Sequence, residues 1–393
     1  MRIVEASLHL VRLPLVHAFQ TSSHRKTHLD HILVRLVEES GAEGWGEIAS
    51  PSDPFYCPET TETCWHIAER YLLPSVVDAV WEHPAELARL WRKVRGNRFA
   101  IAGVDAAGWA LWSEIRGVPL AKALGGTRSE VVAGVSLGIE PTYDALLDQV
   151  RRQIDAGYPR VKLKIAPGWD TEPVRLVREA FPDLAIHVDA NGAYGETAEE
   201  LAVLRGLDDF GLLMIEQPFA PRNLVAHAAL QRGVRTPVCL DESVDTLDDL
   251  RTALALGAGR VLNIKVSRMG GLTAAVAAHD LAREHGVDVW CGGMHEFGIG
   301  RAANVALSSL PGFTLPSDVS ASAKYYARDV VQPEVVADQG VVRVPDGPGL
   351  GHTVDAAFIG ENRLKETTIT APATSARRGS PPAADPATAG SAA

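Results

Sequence analysis

Three acids bracketed by two lysines recur through the middle of the chain at a nearly constant interval. Lys164, Asp189, Glu216, Asp241 and Lys265 each stand at or just past the end of a short apolar run, namely VKLKI, AIHVDAN, LLMIEQP, PVCLDES and VLNIKVS. The steps between them are 25, 27, 25 and 24 residues. An all-oxygen set of three carboxylates suits a hard divalent ion, Mg²⁺ first and Mn²⁺ second. Without a cation, mutual repulsion raises the pKa of at least one of them. The plainer alternative is that the acids cap the helices that follow or pair with lysines. Lys162 and Lys164 share a strand with one residue between them, so their side chains point the same way. Two such lysines in a buried strand are costly unless they meet anions; solvated strand-end lysines are the other reading. Neighbouring cations lower a lysine pKa from about 10.4 toward the working pH, which makes it competent as a base. Together these residues can remove a proton next to a carboxylate, with the ion and Lys162 stabilising the doubly charged enediolate.

Chemistry of this kind needs a scaffold that repeats every 25 residues or so. A strand, a helix and two loops take up about that length, and in α/β barrels the C-terminal strand ends line the catalytic face. Adjacent strands lie about 4.8 Å apart, so acids on three neighbouring ends can converge on one ion. Apolar runs at about 131–139, 160–165, 184–190, 212–217, 237–241, 260–266, 287–291 and 313–315 make eight candidate strands. Amphipathic stretches such as TYDALLDQVRRQIDAG and TAAVAAHDLAREHG separate most of them. Gly157, Gly257 and Gly286 follow such stretches, where a helix C-terminal cap is expected. Ahead of this series, residues 2–13, 31–39 and 43–49 read as strands and 59–78, 83–95 and 99–116 as helices. That is an α+β unit ending near Gly125-Gly126. After Asp318 the pattern turns irregular; GVVRVPDGPGLG reads as a short strand and turn returning to the N-terminal unit. From about Pro372 the composition predicts disorder.

The whole chain sets outer limits. Its 393 residues, 46% hydrophobic and 22% charged, are ordinary for a globular enzyme of two domains or one capped barrel. A formal charge of −11 with no basic stripe argues against a nucleic-acid partner and an anionic membrane surface. No apolar stretch reaches the length of a membrane span. The N-terminus lacks a signal peptide's continuous apolar core. Cys57, Cys64, Cys239 and Cys291 make no disulfide framework, and a reduced, cytoplasmic setting fits. Cys239 and Cys291 read as small core residues.

The stretches KLKIAPGWD, HVDAN, IEQP, CLDES, NIKVSRMGG, WCGGMHEFGIGRAANVALSSLPGFTLPSD and the GWGE of residues 44–47 occur in that family order over roughly residues 1–360. With them the chain resembles the muconate-lactonizing subgroup of the enolase superfamily, and within it the N-succinylamino acid racemase / o-succinylbenzoate synthase family. A lysine base working beside Mg²⁺-held enediolates is the known pattern of that superfamily. The resemblance implies a modified TIM barrel, (β/α)7β, with an α+β capping domain formed by both chain ends. On that basis residues 1–126 are the cap and 127–322 the barrel; 323–365 return to the cap and 366–393 form a disordered tail. It also implies a divalent metal, usually Mg²⁺, on Asp189, Glu216 and Asp241, no organic cofactor, a small-molecule carboxylate substrate and a homo-oligomer. Lys164 and Lys265 are implied as the acid/base pair.

Further positions follow from the resemblance. Lys162 and Asn191 give electrostatic support, and Glu296 lies beside the substrate. Arg268 matches an arginine of the racemase-capable family that tunes the neighbouring lysine; a simple salt bridge is the alternative. Phe19, in a loop after the first strand, and the loop around Ser50–Tyr56 match segments that close over substrate, although Phe19 is equally read as a core aromatic. Ser136, Met294 and Tyr325 look like pocket lining or ordinary packing. The chain departs from the family in Val266-Ser267, which stand in place of a Pro-Gly, and in His295 and Phe297 around Glu296. His24 and His31 are also unfamiliar, while His187 reads as a satisfied structural residue. The activity expected is racemisation of N-acyl, in particular N-succinyl, amino acids. The alternatives are o-succinylbenzoate synthase, both activities together, a dipeptide epimerase or cycloisomerase, and a barrel that has lost catalysis.

Overall fold

The computed structural model describes residues 1–20 and 25–372. Seven parallel strands run in sequence order around a curled sheet: Val135–Leu137, Arg160–Lys164, Ala185–Asp189, Met214–Glu216, Val238–Leu240, Val261–Ile264 and Asp288–Cys291. They are called barrel strands one to seven below. Side chains alternate along each strand. Val161, Leu163, Ile186, Val188 and Leu262 join the apolar layer shared with the helices, whereas Lys162 and His187 lie on the opposite face. The helices begin on built-in caps, as at Thr197 and Thr246, where reciprocal bonds to Glu200 and Asp249 satisfy the first-turn amides.

The eighth expected run does not become a regular strand. Phe313 and Ser317 make only single bridges, to Val289 and Ala133. Even so, Asp318 N donates to Cys291 O (2.8 Å) and Gly134 N to Ser317 O (2.8 Å), so the segment is stitched to both edge strands. Pro311 and Pro316 lack the amides that a continuous ladder needs. The expected 131–139 strand is likewise two pieces. Glu130–Val132 pairs with Val341–Arg343 on the barrel flank, and only Val135–Leu137 enters the barrel. The break falls at Gly134, where a Cβ would sit 2.2 Å from the Arg160 guanidinium carbon.

The cap is an antiparallel sheet in the order Arg363–Thr370, β1 (Ile3–Gln20), β2 (Arg25–Glu38), β3 (Glu43–Ile48). β1 and β2 run well past their expected limits, so Phe19 lies on a strand, paired with Lys26, and not in a loop. Residues 366–370 belong to a strand hydrogen-bonded to β1 and not to a tail; of the GVVRVPDGPGLG segment, Val341–Arg343 pairs with Glu130–Val132, while Gly349 returns to the N-terminal unit, bonding Val118 O and Leu120 N. Residues 373–393 lie outside the described residues, as does His24. Of the expected 83–95 helix only Pro84–Arg89 coils, as a 3-10 turn, a form that rarely runs far.

The cap helix Arg98–Arg116 lies directly on β3, because Gly46 leaves room for it. A Cβ at Gly46 would come within 2.1 Å of Gly103 O. Two buried carboxylates then lock cap to barrel. Glu47 of β3 accepts from Phe297 N and Gly300 N (2.8 Å each), at the start of the barrel helix Gly298–Ser308, and from His31 Nδ1 (2.7 Å). Asp105 accepts from Thr273 N (3.0 Å) and Thr273 Oγ1 (2.6 Å), at a helix whose own N-cap, Gly271, has no side chain to offer.

Candidate active site

The parallel register aligns the chemistry. Lys164 is opposite Asp189, Asp189 opposite Glu216, and Glu216 opposite Cys239, two residues before Asp241. The three acids are buried at the ends of barrel strands three to five. Lys164 stands at the end of strand two and Lys265 just past strand six, so the two amines flank the acids.

Each acid faces an amine. Lys164 Nζ lies 2.5 Å from Asp189 Oδ2, Lys162 Nζ 3.3 Å from Glu216 Oε2, and Lys265 Nζ 2.8 Å from Asp241 Oδ2. Among the described residues no three acidic, histidine or cysteine side chains form a group that could hold an ion in this arrangement. The lysine pairing weighed for these acids is therefore what the side chains display. As a donor set, three buried carboxylates on consecutive strands still fit a hard divalent ion.

Asp241 is the most heavily paired. Burial opposes its charge, yet Lys265 and Arg268 hold its carboxyl down at about 2. Arg268 bonds Asp241 Oδ1, Asn263 O (2.6 Å) and Val244 O (3.1 Å), so it reaches Lys265 through the shared acid. The Tyr56 hydroxyl lies 3.0 Å from Lys265 Nζ and 3.3 Å from Asp241 Oδ1, bringing the cap loop onto the same group. For Lys265, burial favours the neutral amine, but Asp241, Tyr56 and Glu242 together outweigh it and the pKa is pushed above the ordinary lysine value. The expected lowering by nearby cations is thus reversed, because the closest charge is an anion.

Lys162 is enclosed by anions and an aromatic face. Asp318 Oδ2 is 3.0 Å away and Asp189 Oδ2 3.6 Å, with the Trp290 ring centroid at 4.7 Å. Asp318 also takes Arg160 NH1 at 2.8 Å, deep in the barrel. Burial disfavours charge on Lys162, but Asp318, Glu216 and Asp189 overcome this and hold its pKa above the usual value. His187 was expected to be satisfied. Its Nε2 is 2.9 Å from Glu216 Oε2, yet neither ring nitrogen makes a hydrogen bond. Burial and the charges of Lys162 and Arg160 keep it neutral.

Asn191 bridges two of these groups, accepting from Lys164 Nζ and donating to Glu242 Oε1 (2.8 Å). Burial, and next the charge of Asp241, push Glu242 up to about 8. Ser136 is opposite Lys162 on barrel strand one. Met294 packs against the cap core, and Tyr325 stacks on His295 with centroids 4.9 Å apart. Glu296 is buried and accepts from Met294 N (2.9 Å), on the seam with Glu47 instead of among the lysines. The Phe19 side chain lies outside what is described.

Asp318, Asn263, Glu242 and Trp290 were not singled out by motif spacing. Asn263 Nδ2 donates to Glu216 Oε1 at 2.6 Å. It stands two residues before Lys265 on one strand, so like-facing periodicity could have found it. Asp318 offered no such signal, because the segment carrying it is not a regular strand.

Two family models match: the enolase C-terminal domain-like model over residues 145–358, and the mandelate racemase / muconate lactonizing enzyme N-terminal domain over 3–125. An o-succinylbenzoate synthase of Geobacillus kaustophilus is 47% identical over 345 residues, covering 88% of this chain and 92% of its own. An N-succinylamino acid racemase of Amycolatopsis is 44% identical over 354 residues, covering 89% and 95%. A crystal structure of an enolase-superfamily member from Listeria innocua superposes with a TM-score of 0.91 at 36% identity, covering 94% of this chain and 99% of the other. The chain therefore belongs to the enolase superfamily, in its mandelate racemase / muconate lactonizing enzyme branch, with the enzymes named o-succinylbenzoate synthase and N-succinylamino acid racemase.

Proposed function

We propose that the chain racemises N-acyl, in particular N-succinyl, amino acids by 1,1-proton transfer between two lysines. The observation that carries this is the placement of Lys164 and Lys265 on either side of three consecutive strand-end acids. Asp189, Glu216 and Asp241 would hold a divalent ion, Mg²⁺ or else Mn²⁺, which when bound supplies positive charge to the substrate carboxylate. Lys164 removes the α-proton of one enantiomer and Lys265 returns one to the opposite face; the other enantiomer reverses the roles. Lys162 faces the growing negative charge as an ammonium, kept protonated by Asp318 and Glu216. Arg268 positions Lys265 through Asp241, and Tyr56 does so directly. We further propose a cap of about residues 1–126, a cytoplasmic homo-oligomer and no nucleic-acid or membrane partner; no helix among the described residues is long and apolar enough to cross a membrane.

The second reading is o-succinylbenzoate synthase, a syn-elimination of water in which Lys164 makes both proton transfers and Lys265 stabilises the enolate by charge. It is supported by relatives of that name at identities similar to those of the named racemases. A dipeptide epimerase or cycloisomerase is a weaker alternative. The test is polarimetry and α-hydrogen exchange in deuterated water on N-succinyl amino acids, before and after EDTA. Lys164→Ala and Lys265→Ala should each lower racemisation on the order of 10²–10⁴-fold. Racemisation that survives both substitutions excludes the two-lysine scheme, and turnover confined to the dehydration substrate selects the second reading.

A further inference from the structure

Lys162, Lys164, Lys265 and Arg268 all sit on carboxylates. Lys324 does not. It ends the short turn Ser322–Lys324, is partly buried, and its Nζ reaches the Ser136 carbonyl at a long 3.5 Å. The Tyr325 ring centroid is 5.4 Å from the same nitrogen. Among the described residues no carboxylate lies within ion-pair distance of it. In a chain of net charge −11 such an ammonium leaves room for an anion from outside the protein.

Its place in the ring gives that anion a direction. Ser136 is opposite Lys162 on barrel strand one, while the acids stand on strands three to five. A substrate with its carboxylate toward the acids and its α-carbon between Lys164 and Lys265 has the strand-one side left for its acyl arm. That side is walled by Tyr325 stacked on His295, with Lys324 beside it.

We propose that Lys324 recognises the distal carboxylate of the acyl arm and thereby selects dicarboxylic acyl groups, such as succinyl, over neutral ones such as acetyl. This rests on the reading above for the orientation of the substrate, and it holds for either activity, since both substrates carry a succinyl chain. The experiment compares kcat and KM for the N-succinyl and N-acetyl derivatives of one amino acid, with Mg²⁺ present, in the wild type and in Lys324→Met, Lys324→Arg and Lys324→Glu. Loss of one charge-assisted contact should raise KM for the N-succinyl substrate about tenfold in Lys324→Met. The succinyl-to-acetyl ratio of kcat/KM should fall by the same factor, persist in Lys324→Arg, and fall further in Lys324→Glu. An unchanged ratio in Lys324→Met, or equal losses on both substrates, overturns the proposal. If the wild type turns over neither substrate, the functional reading fails separately. Calorimetric binding of the same two compounds to wild type and Lys324→Met then decides the role of Lys324: a preference for the succinyl compound that Lys324→Met loses supports it, and no preference in the wild type, or the same preference in both proteins, overturns it.

Discussion

Replacing Asp105 with asparagine should favour the fold more at neutral pH than at low pH. Asp105 lies in the cap helix and is fully buried against Thr273 of the barrel. Burial raises its pKa from 3.8 to about 6, and the bonds from Thr273 only partly offset this. A carboxyl whose folded pKa exceeds its unfolded one contributes stability in full below pH 3.8 and loses it as pH rises through about 6. Across that interval, at about 1.4 kcal/mol per pH unit, the loss has a ceiling of ~3 kcal/mol. Asp105→Asn imitates the protonated carboxyl in shape and carries no such pH-dependent cost. The difference in Tm, variant minus wild type, should therefore climb between pH 4 and pH 7 by several degrees, about 4 °C for a chain of this size. Differential scanning fluorimetry in a series of buffers reads it directly, because groups common to both proteins cancel in the difference. A flat difference, or one that falls with pH, refutes the burial of an ionisable Asp105 at the seam.

Glu47→Ala strips the partner from Phe297 N and Gly300 N, two buried donors, and should cost about 2–4 kcal/mol, seen as a lower midpoint in urea. Glu47→Gln should recover part of that loss; equal losses for both variants would mean that packing, not the paired amides, fixes the seam. Gly46→Ala sets a methyl 2.1 Å from Gly103 O and should push β3 off the cap helix, lowering Tm by more than Gly360→Ala, a helical position where nothing lies within 4 Å of the added methyl. Equal Tm values for the two would contradict the close contact.

The barrel was readable because its strands are apolar runs that end at fixed intervals, and register carries Lys164, Asp189 and Glu216 to neighbouring positions with no help from the cap. The Phe313–Asp318 closure was not readable, since prolines and single bridges replace the ladder that periodicity detects. Tyr56 sits in a loop recognised only by resemblance, and its contact with Lys265 spans 209 residues, beyond any local signal. Glu47 stood out within GWGE, but its partners lie 250 residues further on. The strand Arg363–Thr370 was misjudged because RLKETTIT is largely polar, as suits a sheet edge that must avoid pairing with other chains. Lys265 shows a limit of charge-pattern reading: whether a lysine is pushed up or down depends on which charge is nearest, and that is a matter of ångströms.

The first strand of the protein finds one of its two neighbours only at the far end of the sequence. As the ribosome lengthens the chain, β1 can zip against β2 early, but its other edge waits for more than 350 further residues. At about 5–20 residues per second that interval lasts roughly 20–70 s, during which a long β-edge stands open. A message truncated before codon 363 would leave that edge open for good, and its product should be more prone to aggregate than one truncated after Thr370, even though the two share every residue of the barrel.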